Sequence, residues 1–310
     1  MDDPATKRAK LFASAGLGGV LGWCVVHPAN TVAVQMTLQS DPAKSMSFYR
    51  FSRELVSKRG ILSLYDGLSA GCARQVFYAT SRIGLFEVFR DLFAGTTSAA
   101  EDNGIPQAPI VTAQTRIVAG LASGALAAVI SCPAEVALVR MSNDCALPHD
   151  QRRGYRNVLD AARRMHGEEG IATFWRGSVP FVQRAMVVGV CQVALNDQLK
   201  SLFSEKFKIA KGTTANIFCA AMTSGFVYSA ITMPLETAKN RMAFEKLDPV
   251  TGILKYRGTL QTVASIAKGG GMKKLWSGFF PYYLRCGGHT VSMFMAVDFL
   301  RNNVGFLKPS

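Results

Sequence analysis

The chain repeats itself about every hundred residues, and this feature most restricts the folds open to it. PANTVAVQ begins at Pro28, PAEVALVR at Pro133 and PLETAKNR at Pro234, prolines that are 105 and 101 residues apart. Small residues stand thirteen and nine positions before each proline: Ala15 and Gly19, Gly120 and Gly124, Ala221 and Gly225. Small residues four apart let helix backbones approach closely in a membrane, and here the pair recurs three times in register. An aromatic-x-Gly triplet follows each proline segment: Tyr65-Asp66-Gly67, Trp175-Arg176-Gly177 and Trp276-Ser277-Gly278. Seven residues past each glycine comes Arg74, Arg184 or Arg285. Thirteen further on is an acid (Glu87, Asp197, Asp298) and three beyond that a base (Arg90, Lys200, Arg301). The register divides the chain into repeats at 1–108, 109–210 and 211–310.

Each repeat holds two mostly apolar stretches, at 11–38, 67–93, 113–141, 178–202, 213–243 and 279–304, each long enough to cross a bilayer. Their prolines and charges exclude simple lipid-facing rods. Charge and irregular backbone at membrane depth must face protein or water, so six helices are expected around a cavity. Between the two spans of each repeat lies a shorter amphipathic piece, such as Tyr155 to Gly170, which reads as a surface helix on the bilayer. The expected fold is therefore an all-α membrane protein of six transmembrane helices in three pseudo-threefold repeats, with short surface helices. A mean hydropathy of +0.16 suits amphipathic spans around a wet interior, and a net charge of +14 calls for an anionic partner.

On a helix, residues three apart share a face, so Glu236 points with Lys239, Glu87 with Arg90, Asp197 with Lys200 and Asp298 with Arg301. Any one pair could close on its own helix. Around a pseudo-threefold axis, acids and bases of neighbouring helices meet instead in a ring, and a ring of breakable ion pairs is a gate. Two such rings are expected, one near the prolines and one near the far ends of the second helices.

Arg74, Arg184 and Arg285 lie thirteen residues, about 20 Å of helix, from their acids, which puts them near mid-membrane. No acid lies within one helical turn of them in the sequence, so an arriving anion is the expected counter-charge. Tyr78 and Arg82 follow Arg74 at i+4 and i+8, on the same face. A dicarboxylate held by Arg74 or Arg82 at one end and Arg184 or Arg285 at the other fits this pattern. Core packing is the alternative for Tyr78.

Other chemistries find little support. The seven cysteines form no CxxC pair and the four histidines are far apart, so neither a metal site, a cofactor nor a disulfide framework is expected. GLSAG at 67–71 fits a hydrolase nucleophile elbow around Ser69, but it opens a membrane span and lacks a preceding strand, so an enzyme is not expected. The glycines near residue 16 lack dinucleotide-loop spacing, and no basic run separable from the spans suggests nucleic acid. MDDPATKRAK shows no removable secretory signal.

The triplicated proline motif, the aromatic-x-Gly elements and the [DE]xx[KR] on the second helices resemble the mitochondrial carrier family across the whole chain. PAEVALVRM, LPHDQRRGYRNV, YDGLSAGCARQ and PYYLRCGGHTV are similar to members that exchange 2-oxoglutarate for malate. The resemblance implies a multi-pass antiporter of the mitochondrial inner membrane, sufficient as a monomer, alternately closing a matrix and a cytoplasmic gate around Arg74, Tyr78, Arg82, Arg184 and Arg285. It also implies cardiolipin near Gly67, Trp175, Arg176, Gly177, Trp276 and Gly278. A related dicarboxylate or uncoupling-type carrier, or a carrier fold kept for a structural role, is the alternative.

The chain departs from the family pattern at Arg59-Gly60 and Gly270-Gly271, where an acid usually precedes the glycine, and in the ring near the prolines, the matrix gate of Asn30, Glu135, Glu236 and Lys239. In family geometry each acid meets the first base of the next repeat. Asn30 would face Leu138 and Glu236 would face Ala33, leaving Glu135 with Lys239 as the one intact bridge. The cytoplasmic gate keeps Glu87, Arg90, Asp197, Lys200, Asp298 and Arg301. A weaker matrix gate, and a resting balance shifted toward opening on that side, is the expected consequence.

Overall fold

The computed structural model describes residues 4–39, 47–95, 113–144, 146–147, 152–208, 213–245 and 254–303. Long helices occupy the six expected spans: α1 (Pro4–Leu38), α3 (Leu68–Gly95), α4 (Ala113–Asp144), α6 (Ser178–Phe207), α7 (Thr214–Phe244) and α9 (Phe279–Asn303). Short helices α2 (Phe48–Arg59), α5 (Val158–Glu169) and α8 (Thr259–Gly270) lie between the spans of each repeat, each followed by one 3₁₀ turn. Among the described residues there is no strand. The fold is the all-α, six-span, three-repeat membrane architecture expected from the sequence. Gly16–Leu38, Ile117–Asp144 and Phe218–Phe244 are long and apolar enough to cross a bilayer by composition alone. Helices α3, α6 and α9 are of comparable length, 28, 30 and 25 residues, but carry the repeat's arginines and acids.

The helices close into a ring because each second helix packs most extensively on the first helix of the next repeat: α3 on α4, α6 on α7 and α9 on α1. The triplet glycines make the equivalent joints possible. At Gly177 a Cβ would lie 2.9 Å from the Lys239 carbonyl oxygen, and at Gly278 one would lie 3.1 Å from that of Ala33. Both glycines also hold φ near +80°, which side chains disfavour. Thr31 and Thr237 tie the 3₁₀ turns to the first helices, donating to the carbonyls of Leu64 and Leu275 at 2.9 Å.

Pro28, Pro133 and Pro234 lie inside their helices, which continue past them. Proline supplies no N–H to the carbonyl four residues back. For Pro234 that acceptor is Ala230, and the Trp276 indole N–H donates to it at 3.0 Å.

Beyond the prolines the first helices converge, and 30–37, 134–144 and 236–240 are buried without interruption. Their C-terminal carbonyls, which lack helical donors, are served around the ring. Gln35 donates to Ser142 (2.8 Å), Arg140 to Ala243 (3.0 Å) and Arg241 to Gln39 (3.1 Å). These donors occupy one position of the repeat, so Gln35 keeps the hydrogen bond though it lacks the charge. Toward the other end packing loosens: no described residue at 182–208 of α6 or from 288 onward in α9 is buried. The structure is closed at the proline end.

Candidate functional site

Six charged side chains from five helices meet just inside the closed end. Lys239 of α7 donates to Glu135 of α4 at 2.5 Å and to Glu236, one turn back on its own helix, at 2.8 Å. The bridge from Glu135 to Lys239 is thus the inter-repeat pair expected from the sequence. Asn30 is buried, and its Nδ2 has no hydrogen-bond partner among the described residues.

The arginines are not left to an incoming anion alone. Arg74 Nε lies 3.3 Å from Glu135, Arg184 Nε 3.1 Å from Glu236, and Arg285 Nη2 3.8 Å from Glu236. This corrects the expectation that the three lack acidic neighbours. Their acids come from adjacent helices, and Glu236 is available because position 33 is alanine and supplies no base. The same contacts explain how an incomplete ring stays closed.

The ion pairs differ in quality. Lys239 makes hydrogen bonds to both glutamates, whereas Arg74 Nε, Arg285 Nε and Glu236 Oε2 have no hydrogen-bond partner among the described residues. These arginine contacts are close in charge but poorly aligned. The cluster holds four cations (Arg74, Arg184, Lys239, Arg285) against two carboxylates (Glu135, Glu236), an excess of two positive charges. Such an excess is costly at low dielectric unless water or an anion meets it.

Neighbouring side chains fix where the guanidinium groups point. The Tyr282 hydroxyl accepts from Arg184 Nε at 2.9 Å and lies 3.3 Å from Thr232 Oγ1. Its ring centroid is 5.8 Å from the Arg184 guanidinium carbon and 4.7 Å from that of Arg285, within cation–π range. Arg74 lies over Trp23 at 4.3 Å and donates to Gln75 at 2.6 Å, and Gln75 in turn meets His289 at 2.6 Å. Trp23 fits because position 71 is glycine: a Cβ there would fall 2.0 Å from the indole nitrogen.

Sequence reasoning missed Tyr282, Trp23, Gln75 and His289. Tyr282 carried a usable signal, standing three residues before Arg285 on the same face. Trp23 carried none, because it has no counterpart in the other repeats. Tyr78 packs against the apolar core, and Arg82 is exposed, its guanidinium carbon 5.9 Å from the Tyr78 ring centroid. Neither belongs to the buried cluster.

Only part of the second ring lies among the described residues. Arg90 pairs with its neighbour Asp91 at 2.7 Å, and Glu87 is half-buried with no ion pair among the described residues. The Lys200 carbonyl accepts from Asn216. The side chains of Asp197, Asp298 and Arg301 lie outside the described residues.

Around the aromatic-x-Gly elements, Gly67, Gly177 and Gly278 make interhelical contacts and Trp175 packs edge-on against Phe174. Arg176 is held by Glu169 at 2.6 Å, a carboxylate that also takes both terminal nitrogens of Arg140 at 2.7 and 2.9 Å. Burial works against ionisation of Glu169, yet the Arg140 hydrogen bonds and the charges of Arg140, Arg153 and Arg176 outweigh it and hold the carboxyl below its ordinary range. Trp276 and Gly278 line a cleft of about 440 Å³ with Lys273, Lys274 and the start of α9.

The family model for mitochondrial carrier protein matches three times, at 5–97, 111–207 and 210–307. The human mitochondrial 2-oxoglutarate/malate carrier protein is 36% identical over 290 residues, covering 93% of this chain and 88% of the relative. The Caenorhabditis elegans protein of that name is 33% identical, covering 93% and 90%. A Dictyostelium discoideum protein described as a probable mitochondrial 2-oxoglutarate/malate carrier is 32% identical, covering 94% and 88%. With three matched repeats over a six-helix ring closed by its first helices, the chain belongs to the mitochondrial carrier protein family.

Proposed function

We propose that this carrier is an antiporter of the mitochondrial inner membrane that exchanges 2-oxoglutarate for malate or a related dicarboxylate. The observation that carries the reading is the buried excess of two positive charges, the complement of one dianion. The names of the relatives point to the same substrates. The three repeats act as one transport domain, and Arg74, Arg184 and Arg285 form its substrate site, with Tyr78 and Arg82 on the approach to it. Glu135, Glu236, Lys239 and the buried Asn30 form the gate on the matrix side. Glu87, Arg90, Asp197, Lys200, Asp298 and Arg301 form the gate on the cytoplasmic side once the second helices converge.

A single chain is sufficient for this cycle. Cardiolipin phosphate suits the cleft beside Trp276 and Gly278, where two lysines and the first amides of α9 are at hand. The equivalent place in the second repeat, at Trp175, Arg176 and Gly177, already has its arginine engaged by Glu169.

The test is uptake of labelled 2-oxoglutarate into liposomes holding purified protein, with and without internal malate. Malate-dependent uptake that is lost in Arg74→Ala, Arg184→Ala and Arg285→Ala is the expected result. Absence of uptake by folded protein, or uptake indifferent to internal malate, overturns the reading.

A further inference from the structure

We propose that Glu135 and Glu236 are specificity-determining residues: internal carboxylates that occupy the arginines of the empty site and must be displaced together, so that the carrier selects substrates bearing two carboxylates. The inference rests on the dicarboxylate-exchange reading and deepens it.

The two glutamates are shared between gate and site. Glu135 sits between Lys239 (2.5 Å) and Arg74 (3.3 Å), and Glu236 between Lys239 (2.8 Å) and the pair Arg184 (3.1 Å) and Arg285 (3.8 Å). Each arginine that would hold a substrate carboxylate therefore already faces one. For Glu236 the sharing follows from this chain's own sequence, because Ala33 stands where a base would pair with it. Ala33 instead packs with Met233 and Tyr282 as apolar filling, and Glu236 turns to the arginines.

The contacts are suited to exchange. Arg74 Nε, Arg285 Nε and Glu236 Oε2 lack hydrogen-bond partners among the described residues. A substrate carboxylate, free to rotate into bidentate geometry, therefore gains alignment that the tethered glutamates do not have. The arginines divide into two stations, Arg74 with Glu135 and Arg184 plus Arg285 with Glu236. A monocarboxylate displaces the glutamate at one station and leaves the gate held at the other. A dicarboxylate displaces both, leaving two gate carboxylates to share Lys239 alone, and the closed end loses its hold. Opening is thereby tied to the number of carboxylates in the site.

The experiment compares inhibition of malate exchange in liposomes by 2-oxoglutarate and by 2-oxopentanoate, the five-carbon keto acid without the second carboxylate. Two variants are used, Glu236→Gln and Ala33→Lys. The first removes one internal competitor. The second gives Glu236 a base of its own and frees Arg184 and Arg285. Both are expected to reduce the preference for the dicarboxylate at least tenfold, and Ala33→Lys to lower the concentration of 2-oxoglutarate needed for half inhibition. Thermal unfolding of each purified variant identifies the folded ones, and either suffices to decide. A preference unchanged within twofold in a folded variant, with wild-type exchange intact, overturns this inference alone. Absence of dicarboxylate exchange in the wild type overturns the transport reading and this inference with it.

Discussion

The indole nitrogen of Trp276 donates at 3.0 Å to the carbonyl oxygen of Ala230, the acceptor that Pro234 leaves without a helical donor. The bond joins the 3₁₀ turn of the third repeat to α7 where that helix carries its proline. Trp276→Phe keeps most of the ring and removes the donor, and is expected to cost about 1 kcal/mol of stability. In a Pro234→Ala background the helix regains its own N–H at this point, so the same substitution is expected to cost little. Thermal unfolding of the wild type, both single variants and the double variant measures the coupling. Additive effects would remove Trp276 from this role.

The donors at the closed end predict a graded series. Gln35 makes one hydrogen bond, to Ser142, whereas Arg140 donates to Ala243 and also takes both oxygens of Glu169. Gln35→Ala is expected to cost about 1 kcal/mol. Arg140→Ala removes a buried guanidinium from the Ala243 carbonyl and the half-buried Glu169, which keeps Arg153 and Arg176, and is expected to cost more, about 3 kcal/mol. Thermal melts in one detergent rank the two, and equal losses would refute the assignment.

Glu169 gives the closed end an acid limit. Its folded-state carboxyl titrates below the ordinary range because Arg140, Arg153 and Arg176 outweigh its burial. A group depressed in the folded state contributes stability that is fully present above its unfolded value and is lost as pH falls through the folded one. Melting temperature is therefore expected to fall as pH drops below about 4.5, and Glu169→Gln to lower the melting temperature at neutral pH and flatten that slope. An unchanged slope in the variant would assign the acid sensitivity elsewhere.

The repeat made the architecture readable. The stretch 178–202 became Ser178–Phe207 and 213–243 became Thr214–Phe244, because the hydrophobic run, the small-residue pair and the triplet glycine all mark the same helices. The bridge from Glu135 to Lys239 was readable for the same reason, as two positions of one motif in successive repeats. The pairing of the glutamates with the arginines was not. It depends on which acid lacks a partner and on how far a guanidinium reaches across to a neighbouring helix, and neither distance appears in a one-dimensional spacing. Trp23 shows the same limit: its seat over Arg74 requires the absent side chain of Gly71, which lies far along the chain on another helix. The donors at the closed end were equally hidden, because a count of charges passes over neutral groups such as the amide of Gln35.

Tyr282 tests whether the arginines must be held as well as present. Its hydroxyl accepts from Arg184 at 2.9 Å while its ring lies 4.7 Å from Arg285, so one side chain orients both members of a station. Tyr282→Phe leaves the ring beneath Arg285 and frees Arg184 to swing. Losing about 1 kcal/mol of orientation corresponds to a roughly fivefold higher KM for 2-oxoglutarate exchange, with kcat little changed. Tyr282→Ala also removes the surface under Arg285, and is expected to raise KM further and lower the melting temperature. A purely structural role would make both variants lose stability and active fraction at constant KM. The split between KM and kcat in Tyr282→Phe is therefore the deciding readout: an unchanged KM would leave Tyr282 as packing only, and a raised KM at wild-type melting temperature would make it the residue that aims the site.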